Sequence, residues 1–203
     1  MTERISMRFP VKGSGAVQND EVIADFTGFL TTVGQSLIAG LIDARNERLL
    51  NGAQALTTAT GIQVHAVGAD TKLDALFLAG NLLRTGSSFT EPDTIILNPA
   101  DYGDVRLIKD AEGRYLTGDP AAAGPPTIFG TRVLVTNKIA AGTGLVANLQ
   151  EAARLYVREA PRVDVNPMGG AAEFIANQTL LRAEERLALA IVKPTAVVKV
   201  TGL

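Results

Sequence analysis

Glu184 and Glu185 stand side by side in the run Arg182-Ala183-Glu184-Glu185-Arg186, four charges in five residues. Two neighbouring carboxylates are the raw material of general acid–base chemistry. Adjacent residues of a strand point to opposite faces, however, so this pair does not converge on one substrate. The spacing favours ion pairing with Arg182 and Arg186, subunit contacts included. Ala141-Gly142-Thr143-Gly144 offers a second possibility, a loop that cradles phosphate. It lacks the Gly-Lys-Ser/Thr ending of a P-loop and the full dinucleotide fingerprint, so it reads as a turn between strands. The single histidine, His65, reads as a surface or loop residue. Asp101, Asp104 and Asp110 lack calcium-loop spacing. Arg154 and Arg158 read as a solvated or interface pair. No nucleophile, base and orienting group come together, and no enzyme activity, cofactor or metal is expected.

Composition narrows the choice further. The chain has 203 residues, 46% hydrophobic and 20% charged, with a formal net charge of -2 and no cysteine. That is enough chain to bury a sizeable core, as one domain or two small ones. There is no basic surplus for gripping phosphates, no disulfide and no thiolate metal site. The first twenty residues carry Glu3, Arg4, Arg8 and Lys12, which does not fit a signal peptide. No uncharged apolar run is long enough to cross a membrane, and a soluble intracellular product is expected.

Arg4 to Phe9 alternates, with Ile5, Met7 and Phe9 on one side, the period of a half-buried strand. Glu21 to Leu50 reads as a long amphipathic helix of roughly 40 Å, with Asn19 and Asp20 as cap candidates and Asn51-Gly52 as its stop. Gly28, Gly34 and Gly40 cost this helix up to about 1 kcal/mol each, or else admit a close neighbour. Thr71–Leu83 reads as a second helix, its apolar positions including Leu76 and Phe77. Thr94–Leu97 reads as a short buried strand broken by Asn98-Pro99, and Ala100–Ile108 as a short helix. Arg132–Thr136 and Gly144–Ala147 read as strands, and Arg162–Val165 alternates. Glu151–Tyr156 fits either helix or strand.

The tail is ambiguous on its own terms. Ala171–Ile191 is rich in Ala, Leu, Glu and Arg, and propensity alone favours helix. Yet Leu187, Leu189 and Ile191 alternate with smaller or charged residues, as in a strand.

Several motifs occur in a telling order: Leu49-Leu50-Asn51-Gly52 after the long helix, and Ile96-Leu97-Asn98-Pro99-Ala100-Asp101-Tyr102. Then come Leu107-Ile108-Lys109-Asp110-Ala111-Glu112-Gly113-Arg114-Tyr115, Ile128-Phe129-Gly130 leading into Val133–Thr136, and the charged tail running into Val192-Lys193-Pro194-Thr195-Ala196. Together they resemble the major capsid proteins of tailed bacteriophages, over roughly Arg4 to Val200. The resemblance implies an α+β fold of the Hong Kong 97 type, with a long spine helix, a peripheral-domain β-sheet and an inserted axial α/β domain. It places 1–52 and 161–203 in the peripheral domain and 53–160 in the axial domain, and it turns the tail into a long strand.

The function implied is that of a structural subunit. Copies would self-assemble into pentamers, hexamers and an icosahedral shell enclosing a phage genome without sequence-specific DNA binding. The chain would belong in the virion capsid, and in the host cytoplasm before assembly, with no membrane. A scaffold, a portal and a maturation protease are candidate partners. Arg182, Glu184, Glu185 and Arg186 are the interface candidates. Asn177 and Glu184 match the acceptor and helper positions of the isopeptide cross-link known in the founding type. The N-terminal arm and extended loop that would bring the lysine have no counterpart here, so both residues are expected to be structural. One alternative is an encapsulin-like nanocompartment shell, which gene neighbours would separate. Another is a small α/β enzyme holding a phosphorylated ligand at Gly142–Gly144, which a nucleotide thermal-shift screen would separate.

Overall fold

A computed structural model of the chain describes residues 3–10, 29–116, 125–166 and 180–203. In chain order these form β1 (Glu3–Pro10), α1 (Phe29–Asn51), β2 (Gln63–Ala66), α2 (Lys72–Thr85), β3 (Thr94–Leu97) and α3 (Pro99–Arg106). There follow β4 (Thr127–Ile128), β5 (Thr131–Val135), β6 (Thr143–Ala147), the single turn α4 (Leu149–Ala152), β7 (Ala153–Asn166), β8 (Leu180–Ile191) and β9 (Val197–Thr201). The helix caps Asn19 and Asp20, the segment 21–28, Lys12 and Asn177 lie outside the described residues.

The chain divides into two compact units, Met1–Asn46 with Leu155–Leu189, and Glu47–Arg154 with Ala190–Leu203. The first is built on a three-stranded sheet in the order β1-β8-β7. β1 runs antiparallel to β8, from Glu3 opposite Leu187 to Pro10 opposite Leu180. Leu37 and Leu41 of α1 pack on Leu181 and Ala183 of β8, with Val33, Ala44 and Val163 at the margin. Here helix propensity loses. The residues of β8 are good helix formers, but ladder partners and burial of the strand's helix-facing side outweigh a preference of a few tenths of a kcal/mol per residue. Among the described residues a Cβ at Gly34 would meet nothing within 4 Å, so none of them is the close neighbour this glycine would admit.

The second unit holds a six-stranded sheet in the order β2-β9-β6-β3-β5-β4. β2 is parallel to β9 and β3 to β5, and the other pairs are antiparallel. Its central strands are covered on both faces. Ile95 and Leu97 of β3, with Val198 and Val200 of β9, pack with Leu76, Leu83 and Val105 from the helices. Ile96 and Val197 point the other way, toward Leu50, Leu56, Ile139 and Leu145. Burial on both faces explains why these short strands read as continuous apolar runs. β9 is hydrogen-bonded between β2 and β6, so residues 190–203 belong to this compact unit. Residues 155–160 belong to the first compact unit as part of β7.

The helices start where local chemistry lets them. Thr71 Oγ1 accepts from the Asp74 amide at 3.2 Å and caps α2. Asn98 Oδ1 accepts from the Ala100 amide at 3.0 Å, with Pro99 at the first turn of α3. Asn148 Oδ1 does the same for Glu151 at 3.1 Å, so the ambiguous 151–156 segment is a helical turn that becomes strand at Ala153. Phe77, on the apolar face assigned to α2 from sequence, is instead exposed, and Ile42 of α1 is at the surface as well.

Candidate functional site

The alternation of β8 sorts the charged run. Leu181 and Ala183 lie against α1, so Glu185 shares the helix-facing side, and Arg182, Glu184 and Arg186 take the other. Both glutamates are buried, at 1% exposure for Glu184 and 2% for Glu185. They are served very differently. Glu184 Oε1 accepts from Arg162 Nη2 of β7, and Glu184 Oε2 stands 3.4 Å from Arg182 Nη2. Asp164 ties the same arginines together, at 2.9 Å from Arg182 Nη2 and 3.5 Å from Arg162 Nε. These carboxylates, Glu184 first, hold the Arg162 guanidinium above its ordinary range, so its charge is fixed. Arg186 Nη1 donates to Glu159 Oε1 at 3.1 Å, adding another cross-strand pair.

Among the described residues Glu185 has one partner, Arg45 Nη1 on α1, at 3.4 Å from Oε2, and its buried Oε1 has no hydrogen bond there. A buried carboxylate with one long contact costs stability that a satisfied one does not. Of the four candidates, then, Arg182 and Glu184 meet on one face, Arg186 pairs further along β7, and Glu185 stands apart on the other side. Arg45, Glu159, Arg162 and Asp164 were not foreseen as partners. The alternation of Arg162-Val163-Asp164-Val165 placed Arg162 and Asp164 on one face, but only the β7–β8 pairing brings that face to Glu184. Two guanidinium groups occupy Glu184, which makes the cluster a clamp between strands rather than a base waiting for a proton.

The turn at Ala141–Gly144 is committed to the fold. The Gly142 amide, at φ 80°, donates to Asp101 Oδ2 at 2.8 Å. The Gly142 carbonyl accepts from the Gly202 amide at 2.8 Å. A carboxylate already holds the amide that a phosphate would need. Asp101 also stands 3.8 Å from Lys72 Nζ, and Asp104 bonds that lysine at 2.7 Å. Asp110 closes a small hairpin: Oδ1 accepts from the Glu112 and Arg114 amides at 2.9 and 2.8 Å, and Oδ2 from Arg114 Nε at 3.0 Å. Lys109 Nζ sits 4.7 Å above the Tyr115 ring across it. His65, expected at the surface or in a loop, is in a strand. It lies half-buried in β2, where pairing to Val200 holds the strand. Among the described residues no group of His, Asp and Glu could hold a metal ion, and no helix is long and apolar enough to cross a membrane.

A family model, that of the phage capsid family, matches residues 13–202. The chain belongs to the phage capsid family. The major capsid protein of Enterobacteria phage HK97 is 31% identical to it over 187 residues, 89% of this chain and 48% of that protein. The chain thus spans about half the length of the curated relative it matches. The capsid of an empty GTA particle, computed with C5 symmetry, aligns at a TM-score of 0.77 and 18% identity, over 98% of this chain and 72% of that one. Mycobacterium phage Bobi gives a TM-score of 0.76 at 16% identity, over 98% and 71%. A virus-like particle from Pyrococcus furiosus gives 0.68 at 18% identity, over 98% and 76%. The α+β fold of this family member is therefore that of the Hong Kong 97-type capsid proteins, as the sequence motifs implied.

Proposed function

We propose that this chain is a structural shell subunit that assembles with copies of itself into pentamers, hexamers and a closed icosahedral shell around a phage genome. The observation that carries this reading is the family match over residues 13–202, which runs through both compact units. In this reading the first unit is the peripheral domain and the second the axial domain, with 190–203 counted as axial. The shell is the virion capsid, filled after assembly in the host cytoplasm, with scaffold, portal and maturation protease as partners. The encapsulin-like alternative is supported only at the level of fold, whereas the phage reading also has the 31% identity. Enzyme activity at Gly142–Gly144 is not proposed, since Asp101 takes the loop amide.

We assign the charged faces of β8 to holding the subunit's own hairpin first, with Arg182 and Arg186 free at their outer edges to meet a neighbour. Covalent cross-linking is not part of the proposal, because Glu184 is engaged by Arg162 and Arg182. Sedimentation velocity on the purified chain tests the function. Conversion of monomer to particles of tens to hundreds of copies as concentration rises supports it. A monomer at every concentration and salt contradicts it.

A further inference from the structure

Among the described residues the buried apolar side chains are Leu, Ile, Val and Ala, while the three phenylalanines whose side chains are described all face solvent. Phe77 is 43% exposed, Phe129 54% and Phe89 80%. Large aromatic side chains normally supply core area, so this is an inversion. Two of the three are also held at a conformational cost. Phe129 and Gly130 form the two-residue turn between β4 and β5, with φ of 50° and 76°. Such a turn prefers Asn-Gly, and a phenylalanine at its first position is strained. Phe89 has φ 48° in the connection from α2 to β3. Strain retained at exposed aromatics points to a role outside the monomer.

The geometry gives that role a shape. The rings of Phe77 and Phe129 meet at 5.1 Å between centroids, tilted by 60°. With Gly80, Arg84, Pro92 and Thr131 they line a shallow, open notch. A notch this shallow does not enclose a small molecule as a buried site does, so its exposed rings are a surface to be covered. The exposed ring surface is roughly 200–300 Å². A stable independent partner needs about 800 Å² on each side. The notch alone therefore cannot hold a free protein. It can contribute when its occupant is already held alongside by other contacts, as copies in a shell are. We propose that the Phe77–Phe129 notch and, as a separate point, the exposed Phe89 are contact surfaces for a second copy of this chain, a proposal that rests on the shell reading above.

The test is the pair of substitutions Phe129→Asn and Phe89→Asn, made together, since Asn accepts positive φ readily. The double variant should melt at or above the parent's temperature, yet need at least about tenfold more protein to form higher-order species in sedimentation. Phe129→Tyr, which keeps the ring, should assemble like the parent. Assembly of the double variant at the parent's concentration overturns the proposal while leaving the shell reading intact. A melting temperature that falls together with assembly also overturns it, because the aromatics would then serve the fold. A parent chain that never assembles removes the shell reading itself, and this contact with it.

Discussion

At the scale of residues, two adjacent glutamates with the same burial have opposite energetic signs. Glu184 is satisfied by Arg162 and Arg182, and losing its carboxylate also leaves a buried hole. Glu184→Ala should lower stability by roughly 2–4 kcal/mol in urea unfolding. Glu185 carries an unpaired buried oxygen and one long contact to Arg45, whose side chain can reach water. Glu185→Gln should be neutral or raise stability by up to about 1 kcal/mol. Equal losses in both variants would mean that the Arg45 contact is as well made as the Arg162 one. The double substitution Glu184→Ala/Arg186→Ala should impair folding or assembly, whereas a variant that melts and assembles like the parent would reduce these charges to a solvated face. A denaturing gel of assembled material should show only monomer-sized bands, and a ladder abolished by Asn177→Ala would contradict the occupied state of Glu184.

At the scale of elements, the Asp110 hairpin should respond to acid. Hydrogen bonds from the Arg114 amide foremost, and from its guanidinium and the Glu112 amide, hold the Asp110 carboxyl below the ordinary carboxylate range. A lowered folded pKa means that the carboxylate's contribution is present above about pH 4 and is lost as pH falls through the lower, folded value. Amide exchange at Glu112 and Arg114 should accelerate below that point, and Asp110→Asn should abolish the dependence. In α1, Gly34→Ala should raise the melting temperature, through a gain of up to about 1 kcal/mol, since its Cβ meets open space. A fall would reveal a neighbour at that position. These elements also show what could be read from the sequence. α2, β3 and α3 were legible because Thr71, Asn98 and Pro99 act within a few residues of themselves. β8 was legible only through the family motifs, because its strand state comes from β1 and β7, more than a dozen residues away in sequence, against its own propensity. The partners of Glu184 were hidden for the same reason. Periodicity gave α2 an apolar stripe that included Phe77 but could not tell which part of it the monomer would cover.

At the scale of the whole molecule, the two units are each held together by different means. The six-stranded sheet buries both faces of its central strands and is sealed at the Gly142 turn by Asp101 and the C-terminal residues. The three-stranded sheet is locked by charge instead, through Arg162, Asp164, Arg182 and Glu184. Within the described residues neither unit offers a catalytic constellation. The central claim is that the chain builds closed shells, and negative-stain electron microscopy of the purified, concentrated chain tests it most directly. The account predicts rings and closed particles of uniform diameter. Fields of dispersed monomers, or irregular aggregates without closure under conditions where the chain is folded, would contradict it.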